Sequence, residues 1–243
     1  MSVSFVLVSG AWHGGWCWER VAPLLEAEGY RVAAPDPLGM GSDKTPLASV
    51  NLAAWGDQIA AVVGAQPEPV VLVGHSRGGV IISEAAERVP DKIASLVYLA
   101  AFLLPDGATL GGASGRGRSE EAPRILIKGE DGTTTVEPSA VASNFYNTTS
   151  PEWVARAQSL LTPEPMASFA TPLKLTDDRF GRVPRAYVEA LQDRAVRIEL
   201  QRSMHAALPC DPVITLDTDH SPFYSDPEAL AAALLQVARM RGG

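Results

Sequence analysis

One short motif places a serine where it could act as a nucleophile. Gly74-His75-Ser76-Arg77-Gly78 matches the pattern G-x-S-x-G, directly after an apolar run and directly before a helix-like segment. In that context the pattern is typical of a nucleophile elbow, a tight turn that exposes a serine hydroxyl at the carboxyl end of a parallel sheet. Glycines are needed because side chains there would collide with the neighbouring strand and helix. We therefore predict covalent catalysis through Ser76, with a glycine-rich structural turn as the alternative.

Two histidines follow Ser76 in the chain and could act as its general base. A serine hydroxyl is a poor nucleophile without such a base, and the chain order expected with this motif is serine, acid, histidine. His205 lies within a helix-like segment, whereas His220 lies in a loop between a strand-like run and the last helix. We predict that His220 is the general base and that His205 is a surface or packing residue.

A carboxylate should orient this histidine, and it should follow the fifth strand of the sheet. Asp193 occupies that position, just after the strand-like residues 185–191. The other acidic residues considered are Asp177, Asp178, Asp211, Asp217 and Asp219. The first three precede a strand, and the last two share the loop of His220, where carboxylates are usually solvated or cap turns. Asp193 is therefore the predicted acid.

Two main-chain N–H groups must stabilise the oxyanion that forms during such catalysis. One is expected from Arg77, the residue after the nucleophile, and the other from the loop after the first strand, residues 9–15. Glycines in that loop permit a close approach of the backbone to the substrate. Within the loop we predict Ala11 as the second donor and Trp12 as a residue of the substrate pocket.

The apolar pattern predicts the elements that position these residues. Strand-like and helix-like segments alternate as β-α-β-α-β-α-β up to residue 99, and the alternation resumes at residue 185. Continuous apolar runs suit strands that are buried on both faces, and this alternation is typical of a parallel sheet between two layers of helices. The predicted fold class is α/β, with roughly six parallel strands.

The stretch between the two halves has a different composition. Residues 106–181 are rich in Gly, Ser, Thr and Pro and show helix-like pieces but no clear strand. A structureless loop of that length is uncommon in a compact domain. We predict a core domain of residues 1–105 and 182–243 that carries an inserted helical cap, residues 106–181.

Composition and charge exclude several classes of protein. Of the 243 residues 46% are hydrophobic, a fraction that excludes an intrinsically disordered chain. The net charge of −8 disfavours nucleic-acid binding, which needs a basic surface. We find neither a signal-peptide pattern nor an apolar run of ~20 residues, so we expect a cytoplasmic protein without membrane partners. Cys17 and Cys210 are too few for a disulfide framework and are expected to be buried thiols. No metal or cofactor is expected.

Several segments resemble a known family. They are similar to α/β-hydrolases of the plant methylesterase and hydroxynitrile lyase branch, which has bacterial esterase-like relatives. The segments are FVLVSGAWHGGWCW at 5–18, PLLEA at 23–27, VLVGHSRGG at 71–79, LAAF at 99–102, LQDRA at 191–195 and DH at 219–220. The resemblance extends over nearly the whole chain. It implies a six-stranded parallel core, a helical cap between the fourth and fifth core strands and, often, a homodimer.

By position, the resemblance implies the same site residues as the chain order does. The nucleophile of the family falls on Ser76, its acid on Asp193, its base on His220, and its oxyanion amides on Ala11 and Arg77. These positions agree with the assignment made from the residues themselves.

Two positions separate esterases from lyases within this branch. Lyases carry Thr or Asn where this chain has Gly10, and one type carries Lys where it has Ser221. Both differences favour ester hydrolysis, because neither residue supplies the charge or donor that cyanohydrin cleavage needs. The chain also departs from the esterases, whose usual His-Gly pair is Ser9-Gly10 here.

We expect a serine hydrolase that cleaves small to medium apolar carboxylic esters, such as methyl or aryl esters, through an acyl-enzyme. The alternatives are a hydroxynitrile lyase, a receptor-like relative with little turnover, and a hydrolase of lactones or biosynthetic intermediates. A substrate carboxylate could be attracted by the Arg77 side chain, unless that side chain is exposed or paired. Candidate pocket residues are Gly10 and Trp12. The cap residues Phe145, Tyr146, Trp153, Met166, Phe169 and Phe180 are further candidates, each with packing of the cap onto the core as its alternative.

Overall fold

A parallel β-sheet of six strands lies at the centre of the protein. The computed structural model describes residues 3–114 and 125–241. Along these residues the strands are β1 (Ser4–Val8), β2 (Val32–Ala33), β3 (Val70–His75), β4 (Ile93–Leu99), β5 (Leu126–Lys128), β6 (Thr133–Val136), β7 (Glu164–Pro165), β8 (Arg185–Ala190) and β9 (Val213–Leu216). The central sheet has the order β2-β1-β3-β4-β8-β9, and each neighbouring pair is parallel. The predicted fold class is confirmed.

Helices cover both faces of this sheet. Along the described residues they are α1 (Ala22–Ala27), α2 (Leu52–Gly64), α3 (Gly78–Arg88), α4 (Leu110–Ser114), α5 (Pro138–Phe145), α6 (Pro151–Gln158), α7 (Ala167–Ala170), α8 (Ile198–Ala207), α9 (Pro222–Ser225) and α10 (Pro227–Arg241). No helix in residues 3–114 and 125–241 is both long enough and apolar enough to cross a membrane.

The apolar core is divided into two clusters by the sheet. On β3, Val70 and Leu72 pack in the cluster that contains α2 and α3, whereas Val71 and Val73 pack in the cluster that contains α1 and α10. Successive side chains of a strand point to opposite faces, so a strand covered on both faces needs apolar residues at every position. The continuous apolar runs in the sequence have this cause.

The ends of four strands bring the predicted site residues to one edge. Ser76 follows β3, Ala11 lies in the loop after β1, Asp193 follows β8, and His220 follows β9. These strands are parallel, so their carboxyl ends meet at the same edge of the sheet, where open α/β folds bind ligands.

Between β4 and β8 lie four helices, α4 to α7, and a small sheet. The sheet has the order β5-β6-β7 and is antiparallel, so the expectation of no clear strand in this region is wrong. These strands have two to four residues each, and β6 is TTTV, which gives too little apolar alternation to be recognised. Residues 115–124 of the predicted cap lie outside the described residues. The division into core and cap remains a prediction.

Two smaller expectations also have clear outcomes. The sequence predicts a helix from residue 195, but α8 begins at Ile198, and the N–H groups of Ala195 and Val196 donate to the Asp193 carboxylate in the segment before it. Cys17 is a buried free thiol, as expected, whereas Cys210 is free but only half-buried.

Candidate active site

Ser76 occupies a strained turn between β3 and α3. Its φ is +53°, in the left-handed region that side chains other than glycine rarely adopt. Two main-chain hydrogen bonds hold this conformation: the Ser76 N–H donates to the Leu99 carbonyl at 3.2 Å, and the Ser76 carbonyl accepts from the Phe102 N–H at 3.1 Å. Strain of this kind persists only where the surroundings enforce it, and it is frequent at functional sites.

The two glycines of the motif are required by close backbone approaches. A Cβ atom on Gly74 would lie 2.6 Å from the carbonyl oxygen of Gly78, at the start of α3. A Cβ atom on Gly78 would lie 2.8 Å from the carbonyl oxygen of Val8 in β1. Both distances are far shorter than van der Waals contact, so the expected collisions with helix and strand are confirmed.

Asp193 and His220 are in direct contact below the surface. The His220 Nδ1 lies 2.7 Å from the Asp193 Oδ2, and both side chains are almost fully buried. The other oxygen, Oδ1, accepts the N–H groups of Ala195 and Val196 at 2.7 and 2.8 Å. Because a carboxylate only accepts, the imidazole must carry a proton on Nδ1, which leaves Nε2 free to take a proton from another group.

Asp219, a neighbour of His220 and an alternative acid, has other partners. Its Oδ2 accepts from the Thr148 N–H and from the Thr149 hydroxyl, both at 2.8 Å. Its Oδ1 accepts from the Ser221 N–H at 3.0 Å. Asp219 therefore ties the loop of His220 to the segment between α5 and α6 and does not contact the imidazole as Asp193 does.

His75 supports the loop of His220, a contact that the sequence analysis did not anticipate. The His75 Nε2 donates to the main-chain carbonyl oxygen of His220 at 2.7 Å. Full burial lowers the pKa of His75 well below its usual range, because a charged imidazole would lose its hydration there. His75 occupies the first variable position of the G-x-S-x-G motif, where any residue type is allowed. The sequence therefore carries no signal of its supporting role.

The two predicted oxyanion donors line one cavity together with Ser76. Within the described part of the chain, neither the Ala11 N–H nor the Arg77 N–H donates to a protein acceptor. Trp12, the residue after Ala11, has a φ of +63°, a second strained conformation at the same site. Two main-chain donors beside a nucleophilic hydroxyl can stabilise a tetrahedral oxyanion.

The rest of this cavity is largely apolar. Of the predicted pocket residues, Trp12 and Phe145 line this cavity. Gly10, Trp153 and Met166 do not line it. Trp153 packs instead against Tyr224, with a ring-centroid distance of 4.9 Å. Phe169, another candidate, also lines the cavity, whereas Tyr146 and Phe180 do not. Among the described residues, the wall includes further apolar residues that the sequence did not indicate: Phe102, Leu110, Ile125, Leu126 and Val196.

The guanidinium of Arg77 does not serve a substrate carboxylate. Only 1% of the side chain is exposed, and its Nε lies 3.0 Å from the Glu164 Oε1. The Arg77 side chain is therefore buried and paired with Glu164, which is one of the alternatives to the attraction of a substrate carboxylate. Residues 3–114 and 125–241 contain no group of three His, Cys, Asp or Glu side chains arranged to hold a metal ion.

Known proteins resemble the chain along almost its whole length. An Arabidopsis thaliana protein assigned as methylesterase 11, chloroplastic, is 34% identical over 97% of this chain, which spans 64% of that protein. A pyrethroid hydrolase of Sphingobium wenxiniae is 33% identical over 96% of this chain and 86% of its own length. The crystal structure of a pyrethroid hydrolase from Sphingobium faniae JZ-2 superposes with a TM-score of 0.87 at 31% identity, covering 100% of this chain and 99% of that one.

The model of the alpha/beta hydrolase family matches residues 5–233, nearly the entire chain. This match agrees with the sheet order, the strained serine turn and the similarity to solved structures. The chain belongs to the alpha/beta hydrolase family.

Proposed function

We propose that this chain is a carboxylic ester hydrolase that works through an acyl-enzyme on Ser76. The observation that carries the proposal is the 2.7 Å contact between His220 Nδ1 and Asp193 Oδ2, which leaves the second imidazole nitrogen free as a base. The relatives support the reaction class, since they are named as a methylesterase and as pyrethroid hydrolases.

The reaction proceeds in two halves. Ser76 Oγ attacks the ester carbonyl while His220 Nε2 takes the hydroxyl proton, and the Asp193 carboxylate stabilises the imidazolium. The negative charge on the carbonyl oxygen is held by the N–H groups of Ala11 and Arg77. His220 then gives its proton to the departing alcohol. A water molecule, activated by the same imidazole, hydrolyses the acyl-enzyme and restores Ser76.

The substrates are small to medium esters with an apolar acyl or alcohol group. The cavity wall supports this class, because aromatic and aliphatic side chains surround Ser76 and the neighbouring Arg77 charge is neutralised by Glu164. Apolar walls favour apolar groups because their burial removes surface from water.

Steady-state hydrolysis of p-nitrophenyl butyrate tests the proposal. Wild type is compared with Ser76→Ala and with the matched control Ser83→Ala, which removes a buried hydroxyl of α3 that bonds to Tyr98 and Gly79. We expect hydrolysis by Ser83→Ala and none above background by Ser76→Ala. Equal rates for wild type and Ser76→Ala would overturn the proposal. Parallel assays with a lactone and with mandelonitrile test the two alternative activities, lactone hydrolysis and cyanohydrin cleavage.

Two further features belong to the proposal. We propose that the chain acts in the cytoplasm, as expected from its sequence, and that it forms a homodimer, as the resemblance to its family implies. Light scattering on the purified protein measures the assembly, and a monomer at micromolar concentration would contradict it.

A further inference from the structure

We propose that Glu164 is a positioning residue that holds the oxyanion loop against the serine turn. The proposal rests on the proposed function, because it takes the N–H groups of Ala11 and Arg77 as the oxyanion donors. Glu164 begins β7, in the segment inserted between β4 and β8, and its side chain is fully buried. It lies 152 residues from Trp12 in sequence, so only the folded chain brings the two together.

The Glu164 carboxylate contacts both segments that carry the donors. Its Oε2 accepts the Trp12 N–H at 2.8 Å, and its Oε1 lies 3.0 Å from the Arg77 Nε. Oε1 also accepts from the Ser168 hydroxyl at 3.4 Å. One side chain thus joins the residue that follows Ala11 to the residue that follows Ser76.

Arg77 completes the connection from the other side. Its Nη2 donates to the Gly10 carbonyl oxygen at 2.8 Å, and its guanidinium lies 4.3 Å from the centre of the Trp55 ring. The peptide groups on both sides of Ala11 are therefore fixed by one buried ion pair. The separation of the two N–H donors depends on this pair, because one donor belongs to Ala11 and the other to Arg77 itself.

Trp12 needs such support because its backbone is strained. A bulky residue with φ near +63° is held there only by its surroundings. Besides the bond to Glu164, the Trp12 carbonyl accepts from the Thr162 N–H at 3.0 Å, and the indole N–H donates to the Thr134 carbonyl at 3.1 Å. All three contacts come from the inserted segment. Without Glu164, we expect the loop to relax and the Ala11 N–H to turn away from the oxyanion.

The pair is better explained by positioning than by stability. Burying two charges costs hydration that their attraction only partly returns, so apolar pairs of similar size are often at least as stable. Glu84 offers a matched control. It also pairs with an arginine, Arg88, at 2.7 Å and accepts a main-chain N–H of the inserted segment, that of Lys174, at 3.3 Å, but it does not line the Ser76 cavity.

The test compares Glu164→Gln with Glu84→Gln in hydrolysis of p-nitrophenyl butyrate. A misplaced oxyanion donor weakens binding of the transition state more than binding of the substrate. We expect kcat to fall about 10- to 100-fold in Glu164→Gln with KM within about 2-fold of wild type. Glu84→Gln should keep kcat within about 2-fold. The affinity for an alkyl trifluoromethyl ketone, which forms a tetrahedral adduct with serine, should fall with kcat.

A double variant separates positioning from folding. Glu164→Gln leaves the buried Arg77 charge without its partner, so we expect its melting temperature to fall below that of wild type. In Glu164→Met/Arg77→Met no buried charge is left unpaired, so we expect the melting temperature to return towards the wild-type value while kcat stays low. The proposal is overturned if folded Glu164→Gln keeps wild-type kcat, if Glu84→Gln loses as much, or if the double variant regains kcat. If Glu164→Gln does not fold, Glu164→Asp takes its place with the same expectations, because its shorter side chain does not reach the Trp12 N–H. Activity in Ser76→Ala would instead contradict the proposed function itself.

Discussion

The imidazole of His75 is hydrogen bonded to the backbone of His220. The His75 Nε2 donates to the His220 carbonyl oxygen at 2.7 Å, and the two rings lie 4.6 Å apart between centroids. The residue before the proposed nucleophile therefore fixes the loop that carries the proposed base. This contact links the serine turn to the base directly, without an intervening element.

We expect His75→Leu to lower both stability and kcat. The His220 carbonyl would be left buried without a donor, which costs about 1–3 kcal/mol, and the loop of the base would gain freedom. Thermal unfolding and p-nitrophenyl butyrate kinetics measure the two effects. His205→Asn is the control, because His205 contacts Glu189 at 2.8 Å and takes no part in the proposed site. A His75→Leu variant with wild-type kcat would contradict the role given to this contact.

Asp193→Asn should reduce kcat far more than Asp219→Asn. An asparagine at 193 favours the wrong imidazole tautomer, an effect that costs about 10⁴-fold in kcat in a serine protease. Asp219 contacts Thr148 and Thr149 instead of the imidazole, so its amide variant should lose less than about 10-fold. KM should change little in both. Comparable losses in the two variants would show that the acid has been assigned to the wrong residue.

His13 should make the protein less stable in acid. Burial lowers the pKa of His13 to about 4, from an ordinary 6.5. Between these values the unfolded chain binds a proton at His13 that the folded chain does not, so the free energy of unfolding falls as pH falls. The loss amounts to about 3 kcal/mol on reaching pH 4.

Urea unfolding at pH 7 and pH 4 measures this effect. Burial is the largest cause of the lowered pKa, because a charged imidazole would lose its hydration there. The contact of Nδ1 with the Ala11 carbonyl oxygen at 2.6 Å opposes the shift, and Nε2 lies 2.5 Å from the Tyr146 hydroxyl oxygen. His13→Asn removes the titrating group, so we expect its stability to decline less with acid than that of wild type. Equal declines would refute the assignment.

Phe169→Ala should widen the acyl preference. Phe169 lines the Ser76 cavity, so its truncation leaves room for a longer chain. We expect the ratio of kcat/KM for p-nitrophenyl octanoate to that for the acetate to rise several-fold. Trp153→Ala is the control, because Trp153 packs on Tyr224 outside the cavity and should leave the ratio unchanged. A rise in Trp153→Ala alone would show that the pocket has been placed on the wrong side.

The sequence predicts the tight turn around Ser76 and the central sheet because their signals are local. The spacing of Gly74 and Gly78 around Ser76 follows from backbone collisions, and the apolar runs follow from a sheet covered on both faces. Given the strand order, Asp193 and His220 are then located by the chain order of the triad.

The rest depends on contacts that no local pattern records. Glu164 is a single carboxylate between two prolines, and its importance comes from residues far away in the chain. Trp153 and Met166 have the residue types of a pocket wall, but the direction of a side chain is set by the packing of its helix or turn. The short strands β5 to β7 form by mutual pairing, which composition does not reveal.

Labelling with a p-nitrophenyl alkylphosphonate tests the central claim most directly. The reagent phosphonylates a serine that is activated by a base and leaves a stable tetrahedral adduct. We predict release of one equivalent of p-nitrophenol, an adduct on the peptide that contains Ser76, and no adduct in Ser76→Ala. A stable adduct on another residue, or labelling of Ser76→Ala at the wild-type rate, would contradict the account.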